Sequence, residues 1–136
     1  MNTNEAQRYA EVIADEVSEL EAALEAFIDD DAETADFDGT TFEDVSELIA
    51  HYVNYCALAV EDVTAATYGA DAYAQRRAVE VTRTVGGPGC FVTFNGNGRA
   101  EVRAYWGSDR GRVTVRAEYA DAELWELMDV LSTVHQ

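Results

Sequence analysis

Lysine is absent from this 136-residue chain, and all nine basic residues are arginine. Proline occurs once and cysteine twice, at Cys56 and Cys90. Two cysteines make no disulfide framework, and they fit reduced, buried thiols. There is no run of 18 apolar residues, which excludes a transmembrane helix of ordinary length. Met1-Asn2-Thr3-Asn4-Glu5 has neither the basic start nor the apolar core of a signal peptide, so the expectation is a cytoplasmic protein. No P-loop, nucleophile elbow, HExxH or CxxC is present. The expectation is therefore no enzyme, no catalytic residue, no cofactor and no bound metal.

What the chain does have is acid. Its formal net charge is −18, with 27 acidic residues, in a composition that is 48% hydrophobic and 26% charged. Such a chain folds rather than staying disordered, and its length suits one domain, 1–136, with one core. The charge is unevenly placed. Residues 1–75 hold 19 acidic residues against Arg8 alone, while residues 76–136 hold eight of each sign. A salt-loving source favours acidic, lysine-poor surfaces, and a GC-rich genome favours arginine and alanine. Neither readily explains why one half carries the whole net charge.

The acidic half reads as mainly helical. Tyr9, Ile13, Val17, Leu20, Leu24 and Phe27 form one stripe of a helix over 5–28. Residues 29–40 read as a solvated acidic connector. Within it Asp36-Phe37-Asp38-Gly39 has only part of a calcium-loop pattern. Thr41 is placed to cap a second helix with Asp44 three residues on, and Phe42 to Cys56 supply its apolar face. Leu58, Val60 and Val63 fit a strand or a helix end, Ala65-Ala66 could continue a helix, and Tyr68 to Asp71 reads as a turn.

The second half reads as hairpins. Val79, Val81 and Val85 alternate with polar residues, with Arg83 interrupting their apolar side. Gly86-Gly87-Pro88-Gly89 breaks that strand. Strands follow over Cys90–Phe94, Arg99–Trp106 and Arg112–Glu118, joined by Asn95-Gly96-Asn97-Gly98 and by Gly107 to Gly111. A helix over Ala120–Val134 closes the chain, with Leu124, Leu127, Met128 and Leu131 on one side. The fold class expected is α+β: N-terminal helices on an antiparallel meander of about four strands, then a C-terminal helix.

Alternation turns Val92, Phe94, Val102, Ala104, Trp106, Val113 and Val115 inward. The outer face then carries Phe91, Thr93, Arg99, Glu101, Arg103, Tyr105, Arg112, Thr114, Arg116 and Glu118. Arginine and aromatic residues together suit nucleic-acid recognition. Cross-strand Arg–Glu pairing, or cover by acidic helices or by a second copy, explains the same face without a ligand. Trp106 is expected in the core. Glu47 and His51, four apart, could reach one metal ion, but His51 reads rather as a packed or rim histidine, and penultimate His135 as a mobile end.

Gly86-Gly87-Pro88, the strand and hairpin after it, and Tyr105-Trp106-Gly107 resemble a pattern of small acidic proteins from phages and plasmids. The resemblance covers residues 79–134 and implies an accessory role in mobile-element biology, with no catalytic residue to carry over. Three functions stay open. The first is a module binding a basic protein through Asp29, Asp30, Asp31, Glu33, Asp36 and Asp38, its carboxylates imitating a phosphate backbone. The second is nucleic-acid binding through Arg99, Arg103, Tyr105, Arg112 and Arg116. The third is a salt-adapted structural or homo-oligomerising protein.

Overall fold

A computed structural model describes residues 4–64, 76–85 and 89–134, with backbone alone at 62–64, 76–77 and 131–134. The expectations for Ala65-Ala66, for the turn at Tyr68 to Asp71, for Gly86-Gly87-Pro88 and for His135 lie outside the described residues. The element order is α1 (Glu5–Ile28), β1 (Ala35–Phe37), β2 (Thr40–Phe42), α2 (Val45–His51), a π-helical turn (Tyr52–Cys56), β3 (Ala59–Thr64), β4 (Arg76–Thr84), β5 (Gly89–Phe94), β6 (Arg99–Trp106), β7 (Asp109–Arg116) and α3 (Glu118–Val134). Strands β3 to β7 form one antiparallel sheet in sequence order, and β1 pairs with β2 apart from it. The fold is α+β, as expected. The sheet has five strands because Ala59–Thr64, ambiguous in sequence, pairs with β4. Among the described residues no helix is long and apolar enough to cross a membrane.

Helix α1 begins where Asn4 accepts a hydrogen bond from the Gln7 backbone N–H at 2.9 Å. It lies across β6 and β7. Its buried seam is Ala6, Ala10, Ile13, Ala14, Val17, Leu20 and Leu24, while Tyr9 and Phe27 are only partly buried. The alanines let the helix come close to the sheet. At Gly111 of β7 the approach is so tight that a Cβ would lie 2.4 Å from the Ala6 carbonyl oxygen. The helix start also covers the free edge of β7. Gln7 Oε1 accepts from Arg112 N at 3.0 Å, Gln7 Nε2 donates to Arg112 O at 3.3 Å, and Asn4 Nδ2 donates to Arg110 O at 3.0 Å. Those contacts occupy edge groups that could otherwise recruit another strand.

The inward face of the sheet is Val79, Val81, Cys90, Val92, Phe94, Ala100, Val102 and Ala104, all buried. Trp106 departs from the expectation of a core residue. It points to the helix side but sits at the end of its strand, 46% exposed, beside Glu5, Arg8, Tyr9 and Val12. Trp125 of α3 is the tryptophan that packs structurally, donating to Phe94 O at 3.0 Å and lying over Gly96.

Two other expectations are corrected. The connector is not wholly a loop, because β1 and β2 pair through Ala35–Phe42, Asp36–Thr41 and Phe37–Thr40. Asp38 and Gly39 both have positive φ, 53° and 72°, which makes a primed two-residue turn, and Phe37 and Phe42 are buried. Thr41 is therefore a strand residue that donates to Asp36 Oδ1 at 2.6 Å, and Asp44 caps α2 by accepting from Glu47 N at 2.8 Å.

Two buried carboxylates tie the elements together. Glu21 of α1 accepts from Tyr119 N and Ala120 N at the start of α3, at 2.9 to 3.0 Å. Asp121 accepts from Gly96 N at 3.0 Å and Gly98 N at 2.8 Å, the two glycines of the β5–β6 turn. Asp121→Asn replaces one acceptor oxygen by a donor. It should cost roughly 1–3 kcal/mol, read as a lower urea midpoint with unchanged slope.

Candidate functional site

The acidic surface is built by α1, the hairpin and the start of α2. Glu11, Asp15 and Glu19 follow at four-residue steps on the exposed side of α1, and Asp30, Asp31, Glu33 and Asp36 are exposed beyond its end. Asp29 accepts from the Tyr119 hydroxyl. That hydrogen bond, with the nearby acidic charge, pushes the Tyr119 phenol up to about 12. Glu19 accepts from Asp38 N at 2.9 Å and so holds the hairpin tip against the helix. Like charges four residues apart weaken a helix by a few tenths of a kcal/mol each. The buried seam below must hold this one. Of the six proposed partner-binding acids, five face solvent in one region. The sixth, Asp38, turns its carboxylate toward His51 and Cys56.

The outer sheet face has the composition expected. Register sets Arg103 opposite Arg112, Arg99 opposite Arg116 and Tyr105 opposite Arg110. Arg103 lies 3.1 Å from Glu80 Oε2, and its Nε is 3.5 Å from Glu101 without hydrogen-bond geometry. Arg112 reaches the other Glu101 oxygen at 3.0 Å. One glutamate thus bridges two arginines that would otherwise repel. Arg116 pairs with Glu118 at 3.2 Å and Glu25 at 3.9 Å, and the bond to Glu118 raises the pKa of its guanidinium. Arg110 stacks on Tyr105, which meets Phe91 edge-on. A phosphate arriving here must compete with carboxylates already in place.

Beneath α1 lies a polar cluster that sequence reasoning assembled only in part. The β4–β5 register shifts between Thr82 and Thr84, so Arg83 is the extra residue of a bulge. Arg83 shares the helix-facing side of Val79 and Val81, where its Nη2 is 2.9 Å from Glu16 Oε2. The bulge shifts the alternation after it, so that Thr84 opposes buried Cys90 and Val85 is 67% exposed. Burial raises the Glu16 carboxyl above its ordinary pKa, while Arg83 pulls it back. Glu16 Oε1, Arg83 Nε and the Tyr52 hydroxyl are buried without a hydrogen-bond partner among the described residues. Burial raises the Tyr52 phenol strongly and pushes the Cys90 thiol up to about 11.

At the rim of this cluster, His51 Nε2 is 3.0 Å and Cys56 Sγ 3.8 Å from the same oxygen, Asp38 Oδ2. His51 is packed at a rim, as its sequence setting suggests, and the Glu47 that its spacing offered as a metal partner is engaged elsewhere. Glu47 Oε2 accepts from Glu43 N at 3.1 Å. His51 is half-buried between Phe37, Phe42 and Tyr55, with ring centroids 5.0 to 6.1 Å away. Burial pushes the Cys56 thiol up to about 11, with the charges of Glu16 and Asp38 adding. Such a thiol is a poor nucleophile at neutral pH.

Fold and surfaces thus define an acidic α+β protein whose exposed helical acids are mostly unpaired among the described residues and whose outer sheet face pairs Arg103, Arg112 and Arg116 with glutamates. No protein-family model, curated protein or solved structure matches the chain.

Proposed function

We propose that this chain is a non-enzymatic binding module whose acidic helical half engages a basic protein surface, in the manner of a nucleic-acid mimic. The observation that supports it most is the separation of compensated from uncompensated charge. Arg83, Arg103, Arg112 and Arg116 meet glutamates of the sheet and of neighbouring helices, whereas Glu11, Asp15, Asp30, Asp31, Glu33 and Asp36 stand exposed with no ion pair among the described residues, in a half of the chain whose single arginine is Arg8. A row of carboxylates on a rigid helix offers a basic cleft fixed negative charge at low ordering cost. An accessory role in mobile-element biology fits this proposal, since such a module acts by occupying a host protein.

The partner would be captured from nuclease-treated lysate of the source cells and then purified. Its affinity is measured for the native chain and for a fourfold variant, Asp30→Asn, Asp31→Asn, Glu33→Gln and Asp36→Asn. Asparagine keeps the positive φ of 52° at residue 31 accessible. Asp29 and Asp38 stay, because they bond to Tyr119 and His51. The variant should bind at least about tenfold more weakly, with a shallower salt dependence. Duplex DNA should compete with the native chain. Equal affinity of the two chains removes the connector from the interface, and failure of DNA to compete removes mimicry.

A further inference from the structure

We propose that Asp38, His51 and Cys56 form a binding site for one divalent transition-metal ion, with zinc the best chemical match. One ligand atom from each of Asp38, His51 and Cys56 lies within 4.8 Å of the other two. Zinc bonds of about 2.0–2.1 Å to nitrogen and oxygen and about 2.3 Å to sulfur, at tetrahedral angles, set donor atoms about 3.3–3.6 Å apart. The 3.0 Å and 3.8 Å separations here fall on either side of that span. The imidazole and the thiol lie no more than 4.8 Å apart, so side-chain rotation that closes this gap by up to about 1.2 Å completes the geometry.

The backbone also converges on this point. His51 ends α2 and Cys56 ends the π-helical turn that follows. On a regular α-helix, residues five apart are separated by about 140° around the axis, given 3.6 residues per turn. The wider π turn narrows that angle and brings ring and thiol to one side. Such turns are rare and occur frequently at functional sites. Asp38 arrives from the hairpin tip, in the left-handed region, where Glu19 bonds its N–H. Phe37 and Phe42 fix the imidazole plane. The three ligands thus come from the hairpin tip, α2 and the π-helical turn, whose positions are set independently of any ion.

The donor set selects the class of ion. A thiolate with an imidazole favours zinc and its neighbours over calcium or magnesium, which take oxygen ligands. A bound ion holds a coordinating thiol deprotonated. Three protein ligands leave a fourth position, and Asp38, with its side chain 53% exposed, lies on the solvent side. Water would complete the tetrahedron there. This inference is independent of any basic partner, because Asp30, Asp31, Glu33 and Asp36, the acids tested on that surface, are not ligands, and Asp38 is left unchanged in that test.

The full chain, kept reduced with a phosphine, would be titrated with cobalt(II) and then zinc(II) at neutral pH. One equivalent of cobalt should give a thiolate-to-metal charge-transfer band, abolished by one equivalent of zinc. Cys56→Ser should lose the band, and His51→Ala should weaken binding about 10–100-fold. Cys90→Ser, which removes the other thiol, should retain both band and affinity. Asp38→Asn serves as a second ligand variant that keeps the hairpin turn, with circular dichroism confirming that each variant folds. Absence of the band in the native chain overturns the site. So does a band that survives Cys56→Ser, or weak binding of several ions that none of the ligand variants changes.

Discussion

Replacing Arg83 by methionine should destabilise the protein by roughly 2–4 kcal/mol at about pH 7, and by much less at about pH 4. The guanidinium is the cation that meets Glu16 under α1, and the two side chains are only 15% and 21% exposed. Methionine fills much of the same volume, so the loss is one of charge compensation. It leaves a carboxylate whose other oxygen already lacks a partner among the described residues. The pH dependence follows from the direction of the shift. Burial already holds the Glu16 carboxyl above the ordinary value of 4.5, and without Arg83 it rises further. A group whose folded pKa is raised contributes stability that is fully present below the unfolded pKa and lost as pH rises through the folded one. The variant therefore recovers in acid, where Glu16 takes up a proton. Urea midpoints of both chains at the two pH values give the comparison. Adding Glu16→Gln to the variant should restore at least half of the loss at neutral pH. A penalty equal at both pH values would show that Arg83 acts through packing alone.

Gly111→Ala should be as damaging for a different reason. The added methyl would lie 2.4 Å from the Ala6 carbonyl oxygen and 2.5 Å from Gln7 Cα, and neither backbone atom can rotate away. Helix α1 must lift from β7, which strains the bonds of Gln7 to Arg112 and of Asn4 to Arg110. We expect a loss of about 3 kcal/mol or more, and a melting temperature lower by roughly 10 °C. Gly107→Ala is the internal comparison. Gly107 has φ of 58° and open space around its Cα, so only the left-handed backbone is penalised, at about 1 kcal/mol. If the two variants melt together, the close approach of helix and strand does not matter to stability.

Much of this architecture was legible because single elements repeat their own period. The stripe from Ile13 to Leu24 located α1, and Asn95 to Gly98 located the turn between β5 and β6. What escaped depended on contacts between distant residues. Alternation puts Arg83 on the apolar side of β4 but cannot show the partner that makes it fit there, Glu16 of α1, and the bulge that sends Val85 outward shows only when β4 meets β5. Trp106 had the correct direction and the wrong depth, since alternation says nothing of where a covering helix begins. Asp38-Gly39 was readable. The dipeptide lies between Phe37 and Phe42 and suits a primed hairpin turn, but the density of acid around it suggested solvent instead. The grouping of Asp38, His51 and Cys56 had no local signal, because the π turn that aligns the last two changes the period by which helices are read.

The seating of α1 on β6 and β7 also governs when this protein can fold. Helix α1 is made about a hundred residues before the strands it covers and must wait for them, and its edge contacts join Gln7 to Arg112 across 105 residues. Until residue 116 has left the ribosome, the alanine seam has no surface to cover it, and the free edge of β7 does not yet exist. Native contacts so far apart in the chain slow folding, because a long loop must close before any of them forms. Self-repulsion along the nascent acidic segment should oppose association of that waiting helix with its neighbours. The excess charge would then protect the unfinished chain on the ribosome before it meets any partner.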